Sequence, residues 1–275
     1  MDPHQLAFHT WTTRPWSIHE CIEHYARAGL GGISIWRESL AGEDVAAVAR
    51  HLRDSGLKPV SLVRGGFFTS NTAAGRAAAL EANRVALREC EALHLPLMVM
   101  VCGATPGQSP RTNFEQIRDG LAALAADARN AGVSLAVEPL HPQYAADRSA
   151  INTLKTANDL CEELGHPHIG VAFDVFHLWW DQDLAAETRR CAAAGRLLAY
   201  HICDWKQHAD DPLLDRGIPG EGVAPLREID ELVRATGFAG LAEVEVFSRK
   251  WWSGNQHQSL AAILEACHKV YGGEG

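Results

Sequence analysis

Four residues, Glu138, Asp174, His201 and Glu245, are the ones whose types and spacing could do chemistry together. Each falls at or near the end of a short apolar run: VSLAVE (133–138), IGVAFD (169–174), LLAYHIC (197–203) and LAEVEVF (241–247). A carboxylate at the tip of a core strand must reach water or meet a positive partner. If the four runs are neighbouring strands, about 4.8 Å apart, their ends can converge on one point. Three negative charges so gathered repel one another unless a cation neutralises them. Oxygen donors with one imidazole suit a divalent ion, Mn²⁺ first, with Co²⁺, Mg²⁺ or Zn²⁺ as alternatives. Against this stands the ordinary reading of any one acidic strand end, a solvated side chain.

Other candidates flank these four. His177 follows Asp174 by three residues and His141 follows Glu138 by three; either could touch a ligand or simply lie on a surface loop, as could His208. Arg216, in the turn-rich DRGIPGEGV (215–223), could offer a forked contact to ligand oxygens. Trp36 ends the GISIW run and Arg64 opens RGGFF, both on the side where the strands end. The pairs Trp179–Trp180 and Trp251–Trp252 could present apolar faces to a sugar ring or pack between helices. Glu243 shares the inward face with Glu245 at period two, and is expected deeper, as support or as part of a polar layer.

These residues need elements to hold them. Eight apolar runs of strand length, 6–11, 32–36, 59–63, 96–101, 133–138, 169–174, 197–203 and 241–247, are nearly continuous, as strands covered on both faces are. Amphipathic segments lie between them. Ser17 to Glu20 and Thr112 to Glu115 have capping-box spacing, and residues 72–94 are rich in Ala, Leu and Arg. Eight strands alternating with helices or long loops in 275 residues predict one (β/α)8 barrel domain over residues 1–275. A doubly wound open sheet is the alternative. It lacks its phosphate fingerprint, since GLGG (29–32) precedes a strand instead of following one.

Composition narrows the partners. The 25 basic and 34 acidic residues leave a formal charge of −9, which disfavours nucleic acid and anionic membrane surfaces. Seven scattered cysteines without a CxxC pair read as reduced thiols of a cytoplasmic protein. No signal peptide and no membrane-length apolar run is visible.

Taken in order, EPLHP (138–142), FDVFH (173–177), HICDW (201–205), DRGIPGEG (215–222) and EVEVFS (243–248) resemble the sugar phosphate isomerase/epimerase family of xylose-isomerase-like barrels. The resemblance spans essentially the whole chain. It implies metal ligands at Glu138, Asp174, His201 and Glu245, and paired acid/base glutamates at Glu138 and Glu245. It implies substrate contacts at His177 and Arg216; His141, Trp36 and Arg64 join them as candidates from their positions. The implied reaction is proton abstraction beside the carbonyl of a sugar or keto-sugar through an enediolate held on the metal, giving isomerisation or epimerisation. Loss of water or aglycone from a 3-keto sugar, keto-glycoside or ketoinositol is the runner-up, and an endonuclease-IV-like repair activity a third. The loop from His201 to Arg216 is longer than in the ketose epimerases, and EPLHP lacks their asparagine. A homo-oligomer is expected by analogy with barrels of this size.

Overall fold

Alternation of apolar strand and capped helix organises the chain, and the computed structural model describes it over residues 1–272. The strands are β1 (Leu6–His9), β2 (Gly32–Trp36), β3 (Lys58–Gly66), β4 (Leu97–Val101), β5 (Ser134–Val137), β6 (Ile169–Asp174), β7 (Leu197–Ile202) and β8 (Ala242–Val244). Each pairs in parallel with the next, and β8 pairs with β1, so the sheet closes into a barrel and the open-sheet alternative falls away. The helices are α1 (Ile18–Arg27), α2 (Val45–Ser55), α3 (Ala73–Leu93), α4 (Pro110–Asn130), α5 (Leu154–Leu164), α6 (Val175–Leu178), α7 (Leu184–Ala193), α8 (Leu226–Ala235), α9 (Arg249–Trp252) and α10 (Gln256–Tyr271).

The helix starts follow local chemistry. Ser17 caps α1 by accepting from the Glu20 amide, and Glu20 reaches back to the Ser17 amide. Thr72, Thr153 and Asn255 cap α3, α5 and α10 by accepting from first-turn amides. The expected box at Thr112 is displaced. Ser109 caps α4, accepting from the Thr112 amide at 3.0 Å, and Pro110 takes the first helical position. Proline there needs no amide partner, so the helix begins one turn earlier than the TNFE spacing indicates.

Two apolar layers result. Outward strand residues such as Ile33, Ile35 and Leu135 pack on helix residues such as Ile22, Leu52 and Leu121. Inside the barrel, Val63, Val99, Ala136, Ala172 and Ala199 form a separate cluster capped by Trp36 and Phe247. At period two, Ala136, Ala172 and Ala199 lie one step below Glu138, Asp174 and His201. Small side chains therefore floor the row that carries the polar groups. All seven cysteines are buried with free thiols. Among the described residues no helix is long and apolar enough to cross a membrane.

Candidate metal centre

The four strand-end residues meet. Glu138, Asp174, His201 and Glu245 each offer a donor atom, all within 4.8 Å of one another, and all four side chains are buried. Asp174 is the last residue of β6 and His201 lies inside β7, while Glu138 and Glu245 sit one residue past β5 and β8. They remain in register because the Glu138 amide donates to the Met100 carbonyl and the Glu245 amide to the Ile202 carbonyl. Asp174 also caps the short α6, accepting from the Phe176 amide through Oδ1 at 2.8 Å, which leaves Oδ2 toward the cluster.

His201 Nδ1 lies 3.1 Å from Glu138 Oε1, so this nitrogen faces the cluster, and Nε2 faces Glu243 at 3.7 Å. Glu245 is more heavily engaged. Its Oε1 accepts from Trp36 Nε1 at 3.1 Å and lies 3.0 Å from His9 Nδ1, and its Oε2 accepts from Arg216 at 2.9 Å. The same guanidinium nitrogen reaches Asp174 Oδ2 at 3.4 Å, and the group lies between the faces of Phe176 and Phe247.

Titration follows these contacts. Burial raises the Asp174 carboxyl, the Arg216 charge opposes this, and Glu245 and Glu138 add to the rise. Burial alone would lower His201, but Glu243 and Glu138 override it and carry it to about 10. His9 also rises, burial being outweighed by Glu245 and Glu243. Glu245 is held well below the usual range despite burial, through His9 and Arg216. Glu243 is lowered, again against burial, by His201 and His9. His177 is pushed well below its usual value by burial and by the Arg216 charge.

The remaining candidates distribute unevenly. His177 Nε2 lies 3.7 Å from Asp174 Oδ2, beside the cluster. His141 does not join the four; its amide donates to His177 Nδ1 at 3.2 Å and its ring stacks on Trp205 at 4.5 Å. Arg216 has one nitrogen committed to the carboxylates, while its buried Nε has no partner. Trp36 turns its indole nitrogen onto Glu245 and stacks on Trp11 at 4.6 Å. Arg64 lies in the end of β3 and not in the loop after it, with its guanidinium over Phe67 and Trp36. Trp251 and Trp252 belong to α9, where Trp252 borders the Trp11 ring. His208 is exposed.

His9, Ser34 and Ser61 escape a reading that looks only at strand ends for acids. His9 ends β1, and the two serines fall within the apolar stretches GISIW of β2 and PVSLV of β3. Polar residues at inward positions of core strands were the available signal. They surround Glu243, whose Oε2 accepts from Ser34 at 2.5 Å and Ser61 at 2.8 Å.

The donor set fits a divalent cation. Three buried carboxylates and one imidazole share a space that a single ion can span, and the guanidinium of Arg216 offsets only part of their charge.

Comparison with known proteins agrees with the barrel fold. The family model described as xylose isomerase-like TIM barrel matches residues 22–267. A solved protein of Sinorhizobium meliloti 1021 is 40% identical, with a TM-score of 0.94 over 98% of this chain and 99% of that one. An inosose isomerase of Bacillus velezensis is 24% identical over 85% of this chain and 82% of its own length. The structure of the IOLI protein with a bound zinc atom is 20% identical, with a TM-score of 0.85 over 96% of this chain and 97% of that one.

Proposed function

The chain belongs to the xylose isomerase-like TIM barrel family, and from that premise we propose that it is an isomerase or epimerase of a small sugar or keto-sugar, working with a divalent metal ion. The observation that carries this reading is the convergence of Glu138, Asp174, His201 and Glu245 into one buried cluster on β5 to β8. The likeness to an inosose isomerase supports the reaction class, and the zinc of the IOLI structure supports the ion. The formal charge of −9 supports a small-molecule substrate over nucleic acid.

The four residues would hold the ion, whose contribution when bound is Lewis-acid polarisation of the substrate carbonyl. The protein supplies the proton chemistry. Glu138 and Glu245 stand at the two ends of the β5–β8 arc, so a substrate resting on the cluster can turn its α-carbon toward either. One carboxylate takes the proton and the other returns it; return to the same carbon gives the epimer, to its neighbour the isomer. Glu245 is fixed by Trp36, His9 and Arg216, whereas Glu138 touches only His201 among these groups. His177 is set up as a neutral donor. Its Nδ1 accepts from the His141 amide, which leaves the proton on Nε2, facing the cluster, for a substrate oxygen. The aromatic wall of Trp36, Trp11 and Phe247 keeps water from the carboxylates and offers an apolar face to the ring or chain of the substrate.

Solvent deuterium exchange at the substrate α-carbon tests the assignment, measured by NMR across ketoses and inososes. Chelation is expected to stop exchange, and Mn²⁺, Co²⁺ or Zn²⁺ to restore it. Glu138→Gln and Glu245→Gln should each reduce it by about 10²–10⁴-fold. Exchange that survives both substitutions, or that persists in chelator, defeats the reading.

A further inference from the structure

The barrel interior contains a fourth acid that the proposed reaction does not use. Glu243 lies one step below Glu245 inside the barrel, paired in register with His201, and it is 1% exposed. A carboxylate in such a layer is costly unless its charge and lone pairs are met. They are met in a particular pattern. Ser34 and Ser61 both donate to Oε2, fixing it from β2 and β3. The same oxygen lies 3.4 Å from His9 Nε2 and 3.7 Å from His201 Nε2. The other nitrogen of His9 faces Glu245 Oε1 at 3.0 Å, and the other nitrogen of His201 faces Glu138 at 3.1 Å. Apart from these carboxylates, neither nitrogen of His9 nor Nε2 of His201 has a partner.

Resting on the metal-centre reading above, we propose that Glu243 is a positioning residue: anchored by Ser34 and Ser61, it orients His201 directly and Glu245 through His9, so that the ion's donors are aimed from below. A metal-bound histidine needs its second nitrogen held by an acceptor, which fixes ring rotation and leaves the first nitrogen free for the ion. Glu243 is the acceptor that faces His201 Nε2, at 3.7 Å. His9 carries the same restraint to the next strand, since it touches one carboxylate with each ring nitrogen. His9, His201 and Glu243 are close enough together to suggest a second ion site. The two serine hydroxyls already on Glu243 Oε2 make that group a hydrogen-bonded support instead.

The test measures metal affinity without turnover. Metal-free protein is titrated with Zn²⁺ by competition against a chelating dye, and with Co²⁺ by its visible d–d absorption. Glu243→Gln is expected to weaken Zn²⁺ binding by about 10–100-fold and to shift the Co²⁺ spectrum, in a variant shown to be folded in its metal-free form by circular dichroism. Ser34→Ala with Ser61→Ala keeps the carboxylate but frees it, and should weaken Zn²⁺ in the same direction. This pair carries the test if Glu243→Gln does not fold. Affinity within about twofold of the parent, in a folded variant with an unchanged Co²⁺ spectrum, overturns the proposal while leaving the metal centre standing. A parent protein that takes up neither ion stoichiometrically overturns the metal-centre reading, and this inference with it.

Discussion

Metal binding should release a proton, and the amount follows from His201. In the metal-free protein its pKa stands at about 10, burial being overridden by Glu243 and Glu138. At pH 8 the ring therefore carries protons on both nitrogens, and the one on Nδ1 points at Glu138. An ion ligated through Nδ1 must displace it. Below its pKa, that displacement lowers the apparent affinity by about tenfold for each pH unit. Zn²⁺ or Mn²⁺ affinity should thus rise about tenfold per pH unit between pH 7 and 9. Calorimetry at pH 8 in two buffers of different ionisation enthalpy should report about one proton released per ion. Asp174, also raised by burial, adds to the release at lower pH. The stability of the metal-free protein has a matching sign. A histidine whose folded pKa lies above its unfolded 6.5 contributes stability that is complete below 6.5 and is lost as pH climbs toward about 10. Asp174 acts in the same direction, because the folded state keeps a proton the unfolded chain gives up. Glu243 and Glu245, both lowered, weaken the fold only on the acid side, below the ordinary glutamate range. The metal-free melting temperature should accordingly fall from pH 6.5 to 9, and saturating Zn²⁺ should flatten that fall. An affinity constant over this range, with no proton released, would refute the arrangement of His201 between Glu138 and Glu243.

Arg216→Met leaves Glu245 and Asp174 without their buried cation and should destabilise the metal-free protein by about 3–5 kcal/mol, read from urea denaturation; a loss under about 1 kcal/mol would show that the guanidinium contributes little. Ser109→Ala should cost about 1 kcal/mol through the lost α4 cap, whereas Thr112→Ala, inside the helix, should cost clearly less; the reverse order would restore Thr112 as the cap.

The barrel was legible because its strands are buried on both faces and its helices are not. Runs such as PLMVMV and IGVAFD have no partner in an amphipathic scheme other than a parallel sheet, and their number left closure as the economical solution. The four donors were legible for a related reason, since a charge that ends an apolar run is costly to keep there unless something meets it. Less legible were the groups whose roles depend on what faces them across the barrel. His9, Ser34 and Ser61 look ordinary within their own strands, and only the register of β1, β2, β3 and β8 brings them onto Glu243. Arg216 stood out as a cation free to bind a ligand, but one of its nitrogens is spent on Glu245 and Asp174. The α4 cap shows the same limit on a local scale. Thr112 and Ser109 both have the right chemistry, and the proline at 110 decides between them.

Charge placement explains why polar groups extend below the rim of an otherwise apolar barrel interior. Three acids at the rim need positive compensation both with and without an ion. Arg216 supplies a permanent share, while His201 and His9 supply a share that a metal can displace. For that exchange to leave the ligands in place, the displaceable protons must sit on rings that cannot swing away. His201 lies between Glu138 and Glu243, and His9 between Glu243 and Glu245, so each ring keeps a carboxylate beside it when one of its protons leaves. Glu243 serves both rings, facing His9 Nε2 at 3.4 Å and His201 Nε2 at 3.7 Å. Replacing it with an apolar residue of similar volume would strand the Ser34 and Ser61 hydroxyls and the inner nitrogens of His9 and His201, and would leave His201 freer to rotate. A Glu243→Leu variant that folds should therefore lose metal-free stability and metal affinity together, whereas Ser34→Ala with Ser61→Ala, which keeps the carboxylate, should cost less stability.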